Sequence, residues 1–415
     1  MSKKLYFGEM FFAIFLFSGV FKESLNLSID ISALFLVLTG LSILYRLSRN
    51  TSIAKYARMP LFITMLIFGL LLFSYMFTPS QIYATEKIIK FAVVTMPAIV
   101  FPFFLFKDKQ SIVRFLLYLS VLSVILSAVM LPSIFLRGSS IGFIGFNDGN
   151  YQGLARLNGV ALIILIFLFL IGESSKKVKL ISFFSIILVS FVLFSTGSRM
   201  PLVAFALSLI YALYKSVRIK RGFIYIRKGT KVLLASIILG SVILVGLATK
   251  GFFDTIIYRF SVLFTESSSA DGRTERMESA FDTFQNHVIF GGGIGSFPLY
   301  YSGLDASDYP HNIVLEILSE LGLVGLFIFS LYFILSIYRG MILKIDRSRF
   351  NNSVHLTVIC LFIYYLANSM VSGDINSNRA LYVFMSIMCI IPFVDKDYPS
   401  YKSKEVNESQ KQRAI

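Results

Sequence analysis

The chain has 415 residues, 56% of them hydrophobic and 15% charged, with a net charge of +16. A mean hydropathy of +0.75 excludes an ordinary soluble globule and indicates a polytopic membrane protein. The positive balance is the orientation signal of an inner membrane protein rather than a nucleic-acid footprint, so no nucleic acid is expected as a partner.

Lys3 and Lys4 precede an apolar run to Phe21, as in a signal peptide. No small-residue cleavage site follows and Glu9 interrupts the run, so the reading is an uncleaved first span. Crossing the hydrocarbon takes roughly 17 to 25 residues. Segments of that kind lie near 5–21, 28–45, 59–77, 88–106, 115–132, 156–172, 180–195, 200–214, 232–249, 312–337, 353–371 and 379–394. The expected fold class is an all-α polytopic membrane protein of about twelve transmembrane helices. A single transmembrane domain covers 1–394, a large outer loop near 250–310 carries an amphipathic helix, and 395–415 form a disordered cytoplasmic tail. Cys360 and Cys389 fall inside apolar spans and read as small buried hydrophobes. Trp is absent, so the interfacial aromatic belt rests on the 21 tyrosines.

The loops test this count. With the N-terminus inside, every inner segment is basic, from Lys3 and Lys4 through Arg46, Lys107, Lys176 and Arg218 to Arg339 and Lys396. Both termini are then cytoplasmic. The turn Ser195–Arg199, the loop 250–310 and the start of the helix after His311 face outward. No ATP or nucleotide sugar is expected there, so a substrate must arrive already activated, most simply on a lipid carrier.

Several outward segments carry chemistry. Arg199 closes a Thr-Gly-Ser-Arg turn before Pro201, where it could hold a phosphate through two parallel hydrogen bonds or snorkel to headgroups. Asp271 reads as the N-cap of an amphipathic helix whose Arg273 and Arg276 lie one turn apart. The run Gly291–Gly295 lacks the setting of a phosphate loop and reads as a close approach of two backbones. His311 stands at a helix start, where it could exchange a proton near neutral pH or, with Asn312, cap the helix. Asn312, Glu316 and Glu320 share one helix face. The loop Asp374–Arg379 could add a carboxylate or a cation, or be a plain polar hairpin. Asp305 and Asp308 lack partners with metal-site spacing, so no metal is expected.

These pieces in this order resemble the O-antigen ligase/polymerase family of lipid-carrier-dependent glycosyltransferases. The resemblance is carried by Ser195-Thr-Gly-Ser-Arg199-Met-Pro-Leu202, Gly272-Arg273, Phe290-Gly-Gly-Gly-Ile-Gly-Ser-Phe297 and His311-Asn312-Ile-Val-Leu-Glu316-Ile-Leu-Ser-Glu320-Leu-Gly322-Leu-Val-Gly325. It implies a C-type glycosyltransferase-like helical fold and metal-independent, cofactor-free transfer of an undecaprenyl diphosphate-linked oligosaccharide en bloc. Arg199 and Arg273 would bind the diphosphate and His311 would be catalytic. Arg276, Asn312, Glu316 and Glu320 would be supporting residues. Membrane lipids and a chain-length regulator are the further partners. The compact outer loop favours a polymerase of O-antigen or other surface polysaccharide over a ligase acting on lipid A-core or protein. A polysaccharide transporter or flippase is the alternative of another class; the lack of visible internal repeats and the scarcity of mid-membrane charges weigh against it.

Overall fold

The computed structural model describes residues 7–21, 29–49, 54–137, 142–146, 149–172, 174–220, 223–226, 240, 242, 245–265, 268–343 and 352–394. The tail 395–415 and most of the span expected at 232–249 lie outside the described residues. Among the described residues the regular elements are helical except for one two-stranded antiparallel hairpin, β1 (Val217–Lys220) and β2 (Phe223–Ile226), in the basic segment read as a loop.

In chain order the helices are α1 (Phe7–Phe17), α2 (Ile31–Arg49), α3 (Arg58–Tyr75), α4 (Ile82–Lys90), α5 (Met96–Leu105), α6 (Lys109–Arg137), α7 (Tyr151–Ile164), α8 (Lys176–Ser195) and α9 (Arg199–Ser216). There follow α10 (Asp254–Thr265), α11 (Ser268–Asn286), the short α12 (Phe297–Ser302), α13 (Ile313–Ile337), α14 (Asn352–Ser369) and α15 (Arg379–Ile390). A π turn, Phe91–Thr95, joins α4 to α5, so the two read as one apolar crossing. Seven of the described helical stretches are long and apolar enough to cross a membrane, and three more are apolar but shorter. Ten of the twelve expected spans fall on these helices and an eleventh on α9, while most of the span expected at 232–249 lies outside the described residues, so the count of twelve stays an expectation.

Hydropathy alone does not say which helices are central; packing does. All of α15 after its first residue is buried, as is the stretch of α7 from Leu157 to Ile164. The outer helices present apolar stripes instead: Val37, Leu41 and Leu44 on α2, and Val121, Ile125 and Val129 on α6, are all more than 40% exposed. Stripes of that kind at helical spacing suit lipid rather than water.

Polar contacts gather at the two ends of the bundle. At one end Glu9 of α1 is fully buried and accepts from Arg46 and Arg114, each at 2.9 Å, which accounts for the charge interrupting the first span. Arg46 and Arg114 belong to segments expected on the inner side. The segments expected on the outer side are tied by bonds of their own: Thr78 after α3 donates to the Ile294 carbonyl, Arg199 to the Arg259 carbonyl and Asn312 to the Met370 carbonyl.

Candidate functional site

The α13 threshold is held from both sides. Asn312 is the N-cap: its side-chain oxygen accepts from the amides of Val314 (2.9 Å) and Leu315 (3.1 Å), while its amide donates to the Met370 carbonyl at the end of α14. Of the two readings open for Asn312, the capping one describes its contacts. His311, just before it, is the one described non-glycine residue with positive φ (60°). Its ring lies 4.5 Å from that of Tyr309, and its Nδ1 is buried with no hydrogen-bond partner among the described residues. A histidine held in the left-handed region is uncommon and strained. Burial first, then the charges of Arg273 and Arg276, hold the imidazole below its ordinary pKa, against an opposing pull from Asp308. It is therefore neutral at pH 7 and able to accept a proton.

Glu316 and Glu320 follow on the same face of α13, fully buried rather than open to the site. Both meet Lys87 of α4, with Nζ–O distances of 2.5 and 2.7 Å. Lys87 is itself fully buried, and its carbonyl accepts from the Asn376 amide at 2.9 Å. The face predicted from spacing exists, but its counter-charge comes from a helix more than 200 positions away. A charged side chain so deep in an apolar crossing is retained only when paired. Asp305 supports the same helix from its other end. Its carboxylate accepts from Ser80 Oγ and from the amides of Gln81, Ile82 and Tyr83 at the start of α4. Burial would raise its pKa; those four donors hold it down to about 2.

The glycine-rich run explains how α13 is bent. Gly322 has φ 64° and ψ −160°, a conformation open essentially to glycine alone, and it breaks α13 near its first third. The backbone freed by the break pairs with residues 288–293. The Gly292 and Gly293 amides donate to the carbonyls of Ser319 (2.8 Å) and Glu320 (3.0 Å), and the Leu323 and Val324 amides donate to Val288 and Ile289 (2.9 and 3.1 Å). A Cβ on Gly291 would come within 2.3 Å of the Glu320 backbone. The run is thus a backbone clasp on a broken helix, the close approach that its composition predicts.

The arginines lie on the other side of the threshold. Arg199 opens α9 and donates to the Arg259 carbonyl (2.7 Å); Arg259 of α10 returns a bond to the Gly197 carbonyl (3.0 Å) and lies over the Phe143 ring. Arg199, Arg259, Arg273 and Arg156 of α7 line one cleft, with Gln152, Asn368 and Ser372 among its polar neighbours and no carboxylate among the described residues that line it. Arg273 is also near enough to act on His311, so it links cleft and imidazole.

Arg276 does not join this cleft. Its Nε faces the Asp308 carboxylate (3.2 and 3.3 Å), its Nη1 donates to Gly272, and its guanidinium lies over Tyr301, so it ties α11 to the loop before α13. Asp271 is not the N-cap that composition predicts, because α11 begins at Ser268 and Asp271 lies inside it. The Asp374–Arg379 loop is polar packing: Asp374 binds Ser377, and Arg379 donates to the carbonyls of Phe15 and Leu16. Among the described residues no group of three or more His, Cys, Asp or Glu side chains is arranged to hold a metal ion.

Arg156, Arg259 and Lys87 are the polar residues that reading the sequence missed. Arg156 and Lys87 carried a usable signal, a charge within an apolar crossing. Arg259 carried none, since it sits in an ordinary mixed stretch.

Residues 183–330 match the O-antigen ligase family. The match includes Arg199, Arg259, Arg273 and the threshold of α13. Among curated proteins, no match to the chain is found.

Proposed function

From the match of residues 183–330 to the O-antigen ligase family, we propose that the chain is a membrane glycosyltransferase moving an oligosaccharide en bloc from undecaprenyl diphosphate to an acceptor hydroxyl. The reaction would take place at the outer face of the bacterial inner membrane, in a C-type glycosyltransferase-like bundle. The observation that carries this reading is the cleft of guanidiniums, with no carboxylate among the described residues that line it, linked through Arg273 to a neutral, half-buried histidine.

The chemistry follows from those groups. The acceptor oxygen forms a bond to the anomeric carbon as the bond from that carbon to the phosphate oxygen breaks. The electron pair leaves with the lipid diphosphate, whose charge Arg199 and Arg273 neutralise through charge-assisted hydrogen bonds. The hydroxyl proton passes to the His311 imidazole. A single displacement of this kind inverts the anomeric centre. Arg276 and Asn312 act by holding the threshold, and Glu316 and Glu320 by anchoring α13 to α4.

Polymerisation of surface polysaccharide repeat units is the preferred form, because the described part of the loop between α11 and α13 is compact. The ligase form is the second reading, favoured by the description of the matching family. Deleting the gene separates them. Loss of a polymerase leaves a single repeat unit on the acceptor, whereas loss of a ligase leaves none and strands glycan on the carrier lipid. Unaltered surface glycan in the deletion strain would refute both.

A further inference from the structure

Arg156, itself half-buried, lies one turn inside α7 and is flanked by the buried residues Leu154, Ala155, Leu157 and Asn158. Ordinarily such an arginine is ion-paired or hydrogen-bonded, because a desolvated guanidinium without a partner is costly. Among the described residues the Arg156 guanidinium has neither kind of partner. It faces the cleft that Arg199, Arg259 and Arg273 also line.

Four guanidiniums line the cleft with no carboxylate among the described residues that line it, and a multiply charged anion between them would relieve their mutual repulsion. The cleft is built for this rather than assembled by chance. Arg199 donates to the Arg259 carbonyl and Arg259 to the Gly197 carbonyl, and these bonds hold two of the four forks before any ligand arrives. Arg156 comes from the most buried of the long helices, so its position is set by the core rather than by the outer loop.

We propose that Arg156 is a direct ligand of the donor's diphosphate, contributing from the bundle core a third fork alongside Arg199 and Arg273. The inference rests on the donor being a lipid diphosphate, as argued above. Its consequence is that the anion is gripped between a fixed helix and the surface helix α11.

The test uses the full chain in nanodiscs of zwitterionic phospholipid. The probe is a fluorescent farnesyl diphosphate analogue, with inorganic pyrophosphate and phosphatidylglycerol as competitors. Arg156→Ala and Arg156→Gln should each weaken probe binding about tenfold or more, the loss expected for a hydrogen bond to a charged group. Binding by these variants should also depend less on salt than binding by the wild type. Arg156→Lys should recover part of the affinity, since it keeps the charge but not the fork. If the Ala and Gln variants bind the probe like wild type while Arg199→Ala does not, the inference is overturned and the donor reading stands. If phosphatidylglycerol displaces the probe as well as pyrophosphate does, the cleft is a headgroup seat and the inference is again overturned. A wild-type protein that does not bind the probe overturns the donor reading itself, and the inference with it.

Discussion

Replacing Lys87 by methionine should destabilise the bundle by about 3–5 kcal/mol, the usual loss when one partner of a buried ion pair is removed. The geometry shows why. At an effective dielectric of about 20, each contact from Lys87, at 2.5 Å to Glu316 and 2.7 Å to Glu320, is worth roughly 6 kcal/mol of Coulomb attraction. Desolvating three ions costs several kcal/mol apiece, so the intact cluster stands near balance. Without the ammonium, the desolvation of two carboxylates remains and the attraction does not. Spread over the unfolding entropy of a 415-residue chain, about 4 kcal/mol lowers the melting temperature by roughly 5 °C. The chain has no tryptophan, but Cys360 and Cys389 are both buried. A thiol-reactive dye therefore reports unfolding directly. Adding Glu316→Gln and Glu320→Gln to Lys87→Met should recover most of the loss, because the stranded charges are gone. A Lys87→Met protein that melts within 1 °C of wild type would refute the argument, as would a triple variant less stable than the single.

Backbone strain at His311 predicts a split between stability and activity. His311→Val should lose about 1–2 kcal/mol because a β-branched residue resists positive φ, whereas His311→Asn should melt close to wild type; neither should form long-chain glycan. A glycan ladder of normal length from the His311→Asn variant would remove the imidazole from the proton transfer. Activity of the wild type should be flat near neutrality and fall only below pH 6.5, where the depressed imidazole takes up its proton. Arg276→Gln removes one of the charges that depress it and frees Asp308, so the acid limb of kcat/KM should move to higher pH. A limb that stays in place, or moves to lower pH, contradicts the assigned electrostatics.

How much of this was legible in the sequence differs from residue to residue. Asn312, Glu316 and Glu320 could be placed on one face because helical spacing is local, and Arg199 and His311 because each sits in a short turn beside an apolar run. Lys87 could not be paired with that face, since nothing local connects α4 to α13. The break at Gly322 was hidden for another reason. Hydropathy is continuous across it, and the residues that satisfy its backbone lie some thirty positions earlier. The hairpin at 217–226 was hidden by its charge, which reads first as an orientation signal. The arginine cleft is the clearest case: two of its four guanidiniums stand in recognisable motifs, whereas Arg156 and Arg259 join them only through packing.

The clasp between residues 288–293 and the broken α13 also limits how such proteins can be recombined. A loop that touched the bundle through side chains alone could be exchanged as a cassette to alter acceptor range. Here the loop supplies main-chain partners to a membrane helix, and a graft that ended at the threshold would leave those amides and carbonyls unmatched inside the bundle. A workable chimaera would have to cut before Ser268 and after Val324, so that clasp and broken helix travel as one heritable unit.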